Sequence, residues 1–321
     1  MGRGVKHTRS GRASGALDVT ANCGHHAGMI PRVWLCLCVA TVFTAVAAER
    51  PYRVDPDAPL KPAERALGET NGVALVRVEF NGIAGDRVPG TLYLPKDRGG
   101  RKPAVLVQHG IGDKRASEYI VQTSRMLAAK GVVALAIDAP NRGERRATAG
   151  KEKTSLLDPS SVHAWFRQHC GDYSRAFDYL ATREDVDKDQ LGYIGFSWGA
   201  ITGITYAAHD ARVKAMTSIG GGGNLVGFLG LPAVPGADGK SPPSLDPAHN
   251  VAAFAPRPLL LVNARKDMIV LPPFAQALHK AAGAGAKVEW YDTDHYFEGV
   301  DRARILGSVV DFMKQGLEKK K

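Results

Sequence analysis

Cysteine is scarce in this chain: there are four in 321 residues, and Cys23, Cys36 and Cys38 all precede residue 48. Beyond that point only Cys170 remains, and one thiol cannot close an internal disulfide, so the fold must rest on its hydrophobic core. Metal-site spacing is also missing. Cys23 with His25 and His26 lacks a second ligand pair at zinc spacing, and neither metal nor cofactor is expected. Long apolar runs are lacking: Val33–Ala48 is free of charge for sixteen residues, short of the roughly 20 that cross a bilayer, so no stable membrane span is expected. No internal repeat occurs, and low complexity is confined to Gly220–Gly223 and the Lys319–Lys321 tail. Acidic residues are fewer than basic ones, 32 against 42, for a net charge of +10. Residues 1–48 carry five Lys or Arg and one Asp, leaving 37 basic and 31 acidic residues after them, a net +6. These charges are scattered instead of forming an aromatic-flanked basic stripe, which argues against a nucleic-acid partner.

The N-terminal segment differs from the rest. Residues 1–28 are basic and rich in Gly, Ser and His, then Met29-Ile-Pro-Arg32 leads into the charge-free run, which ends in Ala45-Val46-Ala47. A basic region, an apolar region and small residues at a cut site read as a secretory signal cleaved near Ala47, with a secreted or periplasmic product. Its position suggests Met29 as the true initiator.

Downstream, 44% hydrophobic and 23% charged residues are ordinary for a globular protein. Residues 49–70 read as a polar lead-in with one short helical patch. Val73–Phe80 and Gly90–Leu94 flank Asn81-Gly82 and Gly85-Asp86 turn chemistry and read as an antiparallel hairpin. Pro103–Gln108, Val132–Ile137, Gln190–Ile194, Val213–Ile219, Pro258–Val262 and Lys287–Tyr291 read as strands. Between them, Ser117–Lys130, Asp172–Thr182, Ala200–His209, Pro272–Ala282 and Val300–Gln315 have helical spacing. Such alternation implies an α/β fold with a mainly parallel sheet of about eight strands and helices on both faces. Residues 49–321 then form a single domain with irregular insertions at about 140–170 and 220–250. Both insertions leave from strand C-terminal ends, where open α/β sheets bind ligands. Trp165, Trp198, Phe228 and Leu229 could wall an apolar pocket there or belong to the core.

The chemistry centres on Gly195-Phe196-Ser197-Trp198-Gly199. A G-x-S-x-G pattern between a strand and a helix forms a sharp turn that lifts its serine out of the fold, in strained backbone geometry. A serine hydroxyl needs a base to take its proton and a carboxylate to orient that base. After such an elbow the order is acid, then histidine. Of the downstream histidines, His209 ends the elbow helix, His249 precedes the next strand and His279 is mid-helix. His295 alone lies in a loop directly after a strand. The acid that fits is Asp267, after the penultimate strand, with Asp246 as runner-up. Asp292 and Asp294 are too close to His295 in sequence to orient it. Two backbone N–H groups would receive the developing oxyanion: Trp198, and Ile111 in the loop His109-Gly110-Ile111-Gly112. His109 reads as a loop-fixing hydrogen-bonder, and Cys170 with His169 as a packing pair at a helix start.

Together, Val107-Gln-His-Gly110, Ala136-Ile-Asp-Ala-Pro140 with Arg142-Gly143, Val186-Asp187, the elbow, Ala255-Pro-Arg-Pro-Leu259, Asp267 and His295 resemble the α/β-hydrolases of the dienelactone-hydrolase and acetyl-xylan-esterase-like group. The resemblance covers about residues 73–315. It implies the α/β-hydrolase fold and hydrolysis of carboxylic esters through an acyl-enzyme without a cofactor. The substrates it suggests are small-molecule esters, or acetyl and other short acyl esters of carbohydrates. One departure is plain: similar dienelactone hydrolases use cysteine where this chain has Ser197. A prolyl-oligopeptidase-type peptidase and a non-catalytic binding protein on the same scaffold are the alternatives. Oligomeric state is left open.

Overall fold

The computed structural model describes residues 57–83, 85–146, 159–224 and 244–318. The expected signal segment, residues 147–158 of the first insertion and residues 225–243 of the second, with Phe228 and Leu229, lie outside the described residues. Among the described residues no helix is long and apolar enough to cross a membrane.

The strands are β1 Ala63–Thr70, β2 Val73–Asn81, β3 Arg87–Leu94, β4 Lys102–Gln108, β5 Val133–Ile137, β6 Val186–Phe196, β7 Val213–Ile219, β8 Leu259–Ala264 and β9 Ala286–Tyr291. They form one sheet of nine strands in the order β1-β2-β3-β5-β4-β6-β7-β8-β9. The β1–β2, β2–β3 and β3–β5 pairings are antiparallel, and every pairing from β5 through β9 is parallel. The helices are α1 Glu118–Ala129, α2 Pro159–Thr182, α3 Trp198–Ala208, α4 Pro272–Ala282 and α5 Arg302–Leu317.

Strand alternation divides the core in two. On β4, Ala104 and Leu106 face one cluster with α2 (Val162, Phe166, Tyr173, Phe177), α3 (Ile201, Ile204) and α4 (Leu278). Val105 and Val107 face the other, with α1 (Ile120, Leu127) and α5 (Ile305, Val309, Val310, Met313). Fully buried central strands are apolar on both sides because helices cover both faces. Arg257, in the Ala255–Leu259 stretch, donates to the carbonyls of Ala207, Asp210 and Val213, so its guanidinium closes the end of α3.

Three expectations are corrected. Residues 63–70 form a strand and not a helical patch, which makes the strand count nine. All eight residues of β1 are exposed, so no apolar alternation marks it; the backbone ladder to β2 makes the strand. Glu64 on it accepts from the Tyr179 hydroxyl and Arg183, both tied to α2 or its end. The helix expected at Asp172 begins at Pro159, so part of the 140–170 insertion is regular. Proline is well placed in the first helical turn, where its missing N–H is not needed. Buried Val162, Trp165, Phe166, His169, Cys170, Tyr173, Ala176, Phe177 and Leu180 repeat at three- and four-residue intervals down one face. Histidine on that face obscured the pattern, and His169 and Cys170 sit in mid-helix, not at its start.

This register is testable. Phe166→Ala should cost about 3–5 kcal/mol of folding stability, while exposed Arg167→Ala should stay within about 0.5 kcal/mol. Denaturant unfolding of both variants checks it, and equal losses would mean that α2 presents a different face.

Candidate active site

Ser197 stands between β6 and α3 with φ 50° and ψ −115°, a conformation that non-glycine residues rarely adopt. Both flanking glycines are required by contact. A Cβ at Gly195 would lie 2.3 Å from the Gly199 carbonyl oxygen, and one at Gly199 would lie 2.7 Å from the carbonyls of both Gln108 and His109. The Ser197 N–H donates to Ile219 O at 2.7 Å, and the Tyr193 hydroxyl donates to Gly199 O at 2.7 Å. The turn is thereby pinned to β4, β6 and β7.

His295 lies in the loop after β9, its Nε2 2.9 Å from Ser197 Oγ and its Nδ1 2.6 Å from Asp267 Oδ2. Asp267 follows β8, is buried, and its Oδ1 accepts from the N–H groups of Ile269 and Val270 at 2.8 Å each. With a carboxylate accepting at one ring nitrogen, Nδ1 carries the proton and Nε2 is free to take one from the serine. The loops run side by side: Arg265 N–H donates to Tyr291 O, and Lys266 N–H to Thr293 O. Sequence reading thus named three residues that the fold joins in one hydrogen-bonded line. Asp246 is elsewhere engaged, accepting from the N–H groups of Ala248 and Asn224. Among the other downstream histidines, His209 bonds Asn250, His249 bonds Ser244 and His279 bonds Asn263.

The loop after β4 supplies the opposite wall. A Cβ on Gly110 would come within 3.3 Å of Ser197 Cβ. His109 does fix this loop: its Nδ1–H donates to Gly110 O at 2.7 Å, and Nε2 accepts from Ala139 N–H at 3.1 Å. Gly110 O also accepts from Asp113 N–H. Across a trans peptide the carbonyl and the following N–H point in opposite directions, so the Ile111 N–H is turned away from these donors. Trp198 opens α3, and its N–H belongs to the first turn, which has no acceptor within the helix. Neither N–H is bonded to the groups that hold the Gly110 carbonyl, and both remain candidates to receive an oxyanion.

Several residues support this loop and the wall beside it, of which Tyr119 gave no sequence signal. Tyr119 accepts from Gly110 N–H and donates to Asp113. Arg142 Nε donates to the Ile111 carbonyl, and its guanidinium lies 5.7 Å over the Trp165 ring. Trp165 stacks on Trp198 at 4.8 Å, with Phe166 edge-on to Trp198 at 5.3 Å. Both tryptophans are buried, so the aromatic wall is also core. Burial, with Arg146 nearby, lowers the Arg142 pKa. Gly143, at φ 54°, passes so near Asp138 that a Cβ would overlap its carboxylate. That carboxylate holds the Arg115 and Glu144 N–H groups. Burial also pushes the Cys170 thiol well up, which leaves it unreactive at neutral pH. No group of three or more His, Cys, Asp or Glu suited to a metal occurs among the described residues.

The dienelactone hydrolase family model matches residues 88–311. The chain belongs to that family. YtaP of Bacillus subtilis (strain 168) is 31% identical over 162 residues, 47% of this chain and 53% of its own length. The polyketide transferase claH of Penicillium crustosum is 28% identical over 185 residues, 56% of this chain and 51% of its own. The chain therefore spans about half the length of these curated relatives. Among solved structures, an acetyl xylan esterase from Paenibacillus sp. R4 aligns with a TM-score of 0.63 at 19% identity, covering 80% of this chain and 89% of that one. At that identity the likeness shows the α/β-hydrolase fold.

His169 makes the wall pH-sensitive. Its Nδ1–H donates to Trp165 O at 2.8 Å, and Nε2 has no hydrogen-bond partner among the described residues, so a second proton would be buried unpaired. Burial lowers its pKa to about 3. The unfolded chain takes that proton first, so stability is lost as pH falls from about 6.5 towards 3. His169→Gln should lose less thermal stability than wild type between pH 6.5 and 4.5. Parallel melting-temperature curves would remove His169 from this role.

Proposed function

We propose that this protein is an exported serine hydrolase of carboxylic esters, working through an acyl-enzyme. The observation that carries this reading is the continuous line from Ser197 Oγ through both nitrogens of His295 to Asp267. Ser197 Oγ attacks the ester carbonyl while His295 Nε2 takes its proton, and Asp267 stabilises the imidazolium that results. The carbonyl oxygen becomes an oxyanion received by the N–H groups of Ile111 and Trp198. On collapse His295 returns the proton to the alcohol oxygen, the C–O bond breaks and the alcohol leaves. Water then repeats the cycle on the acyl-serine and releases the acid.

Family membership supports the hydrolytic reaction class, and the acetyl xylan esterase likeness is consistent with short acyl groups. Export rests on the charge-free run after Arg32, and N-terminal sequencing of the mature protein tests it. For the chemistry, a fluorophosphonate probe should label wild type and not Ser197→Ala. Turnover of p-nitrophenyl acetate should fall by roughly 10⁴-fold or more in Ser197→Ala and by about 10⁴-fold in Asp267→Asn. Wild type that takes no label would favour a binding scaffold, and label retained by Ser197→Ala would move the nucleophile elsewhere.

A further inference from the structure

Apolar side chains left in solvent flank both partners of Ser197 along the chain. Seven large hydrophobic residues are exposed among the described residues, and four of them adjoin the acid or the histidine: Met268 (81% exposed), Tyr296 (63%), Ile269 (41%) and Leu271 (38%). Scattered single exposures are ordinary, whereas a cluster marks a surface meant to be covered. The cluster is also fixed in place. Asp267 Oδ1 holds the N–H groups of Ile269 and Val270, burying Val270 while its neighbours remain outside. On the adjoining loop, Asp294 Oδ1 holds the N–H groups of Tyr296 and Glu298, and the Tyr296 ring meets the His295 ring edge-on at 5.5 Å. The backbone bond from Lys266 to Thr293 ties the two loops together.

Proton delivery assigns an occupant to this rim. When the tetrahedral intermediate breaks down, His295 Nε2 must lie within hydrogen-bond reach of the departing alcohol oxygen. The carbonyl oxygen meanwhile lies at the opposite wall, by Ile111 and Trp198. The alcohol portion therefore leaves past the Nε2 end of the imidazole, whose ring Tyr296 meets edge-on, on a loop tied to the one that carries Asp267. We propose that Met268, Ile269 and Tyr296 form an alcohol-side subsite for a bulky apolar group, an aryl or long alkyl alcohol. The proposal rests on the ester-hydrolase reading and refines it: the alcohol that this rim selects is apolar, not a sugar.

The test uses two alkyl acetates of similar leaving-group reactivity, ethyl acetate and 2-(2-naphthyl)ethyl acetate, which give the same acetyl-enzyme. In the full-length protein, a Met268→Gln/Tyr296→Ser double variant should lose at least about 10-fold in kcat/KM for the naphthyl ester. Ethyl acetate should change less than about 2-fold, and deacylation of the common acetyl-enzyme should not change. Equal losses on both esters, or no loss on either, would overturn the subsite. So would a wild-type preference for acetylated xylose over the naphthyl ester. A selective loss on ethyl octanoate against ethyl acetate would place the acyl chain on the rim and overturn the alcohol-side assignment. Fluorophosphonate labelling separates the two levels: a labelled but unselective enzyme sinks this inference alone, and an unlabelled one sinks the ester reading beneath it.

Discussion

Ser197 holds a backbone conformation of the kind that costs on the order of 1–3 kcal/mol, and such a cost persists only where the surroundings over-determine it. Here the determinants are backbone atoms of the central sheet. Gly195 and Gly199 allow the turn to press against its own carbonyl and those at the end of β4, and the serine N–H is taken by the last residue of β7. The hydroxyl is therefore aimed by three neighbouring interior strands, β4, β6 and β7. The other two side chains come from the loops after β8 and β9, the next strands in the order. The neighbouring C-terminal ends of parallel strands thus place three residues far apart in sequence within hydrogen-bond distance.

The two sides of the serine differ in kind. Towards α2 lie stacked indoles, a neutral buried histidine and a loop bonded to Tyr119, His109 and Arg142, all closely packed. Towards β9 the surface opens, and hydrophobic groups meet water. A closed, rigid side suits the fixed position an oxyanion needs, because preorganised donors require no rearrangement as charge develops. An open side suits a leaving portion that must diffuse away.

What could be read from the sequence followed how directly each element depends on its own residues. The elbow, the central strands and Asp267 with His295 were legible because local patterning and chain order constrain them. β1 was not, since an exposed edge strand buries nothing and its partner supplies the only regularity. The first half of α2 was hidden because its core-facing positions include His169, which a hydrophobic count discards. The contacts of Tyr119 and Arg142 with the Gly110–Ile111 loop are purely tertiary, and no spacing announces them.

The pairing of the acid and histidine loops has a consequence for how this molecule tolerates damage. Arg265 and Lys266 bind Tyr291 and Thr293 through main-chain atoms alone. Erasing the imidazole therefore leaves the two loops laced together, whereas erasing the carboxylate also frees the Ile269 and Val270 N–H groups that it holds. Chemistry and architecture are inherited separately at this corner, so a descendant could lose the reaction while keeping the shape of the cleft, and that shape would then be free to serve recognition.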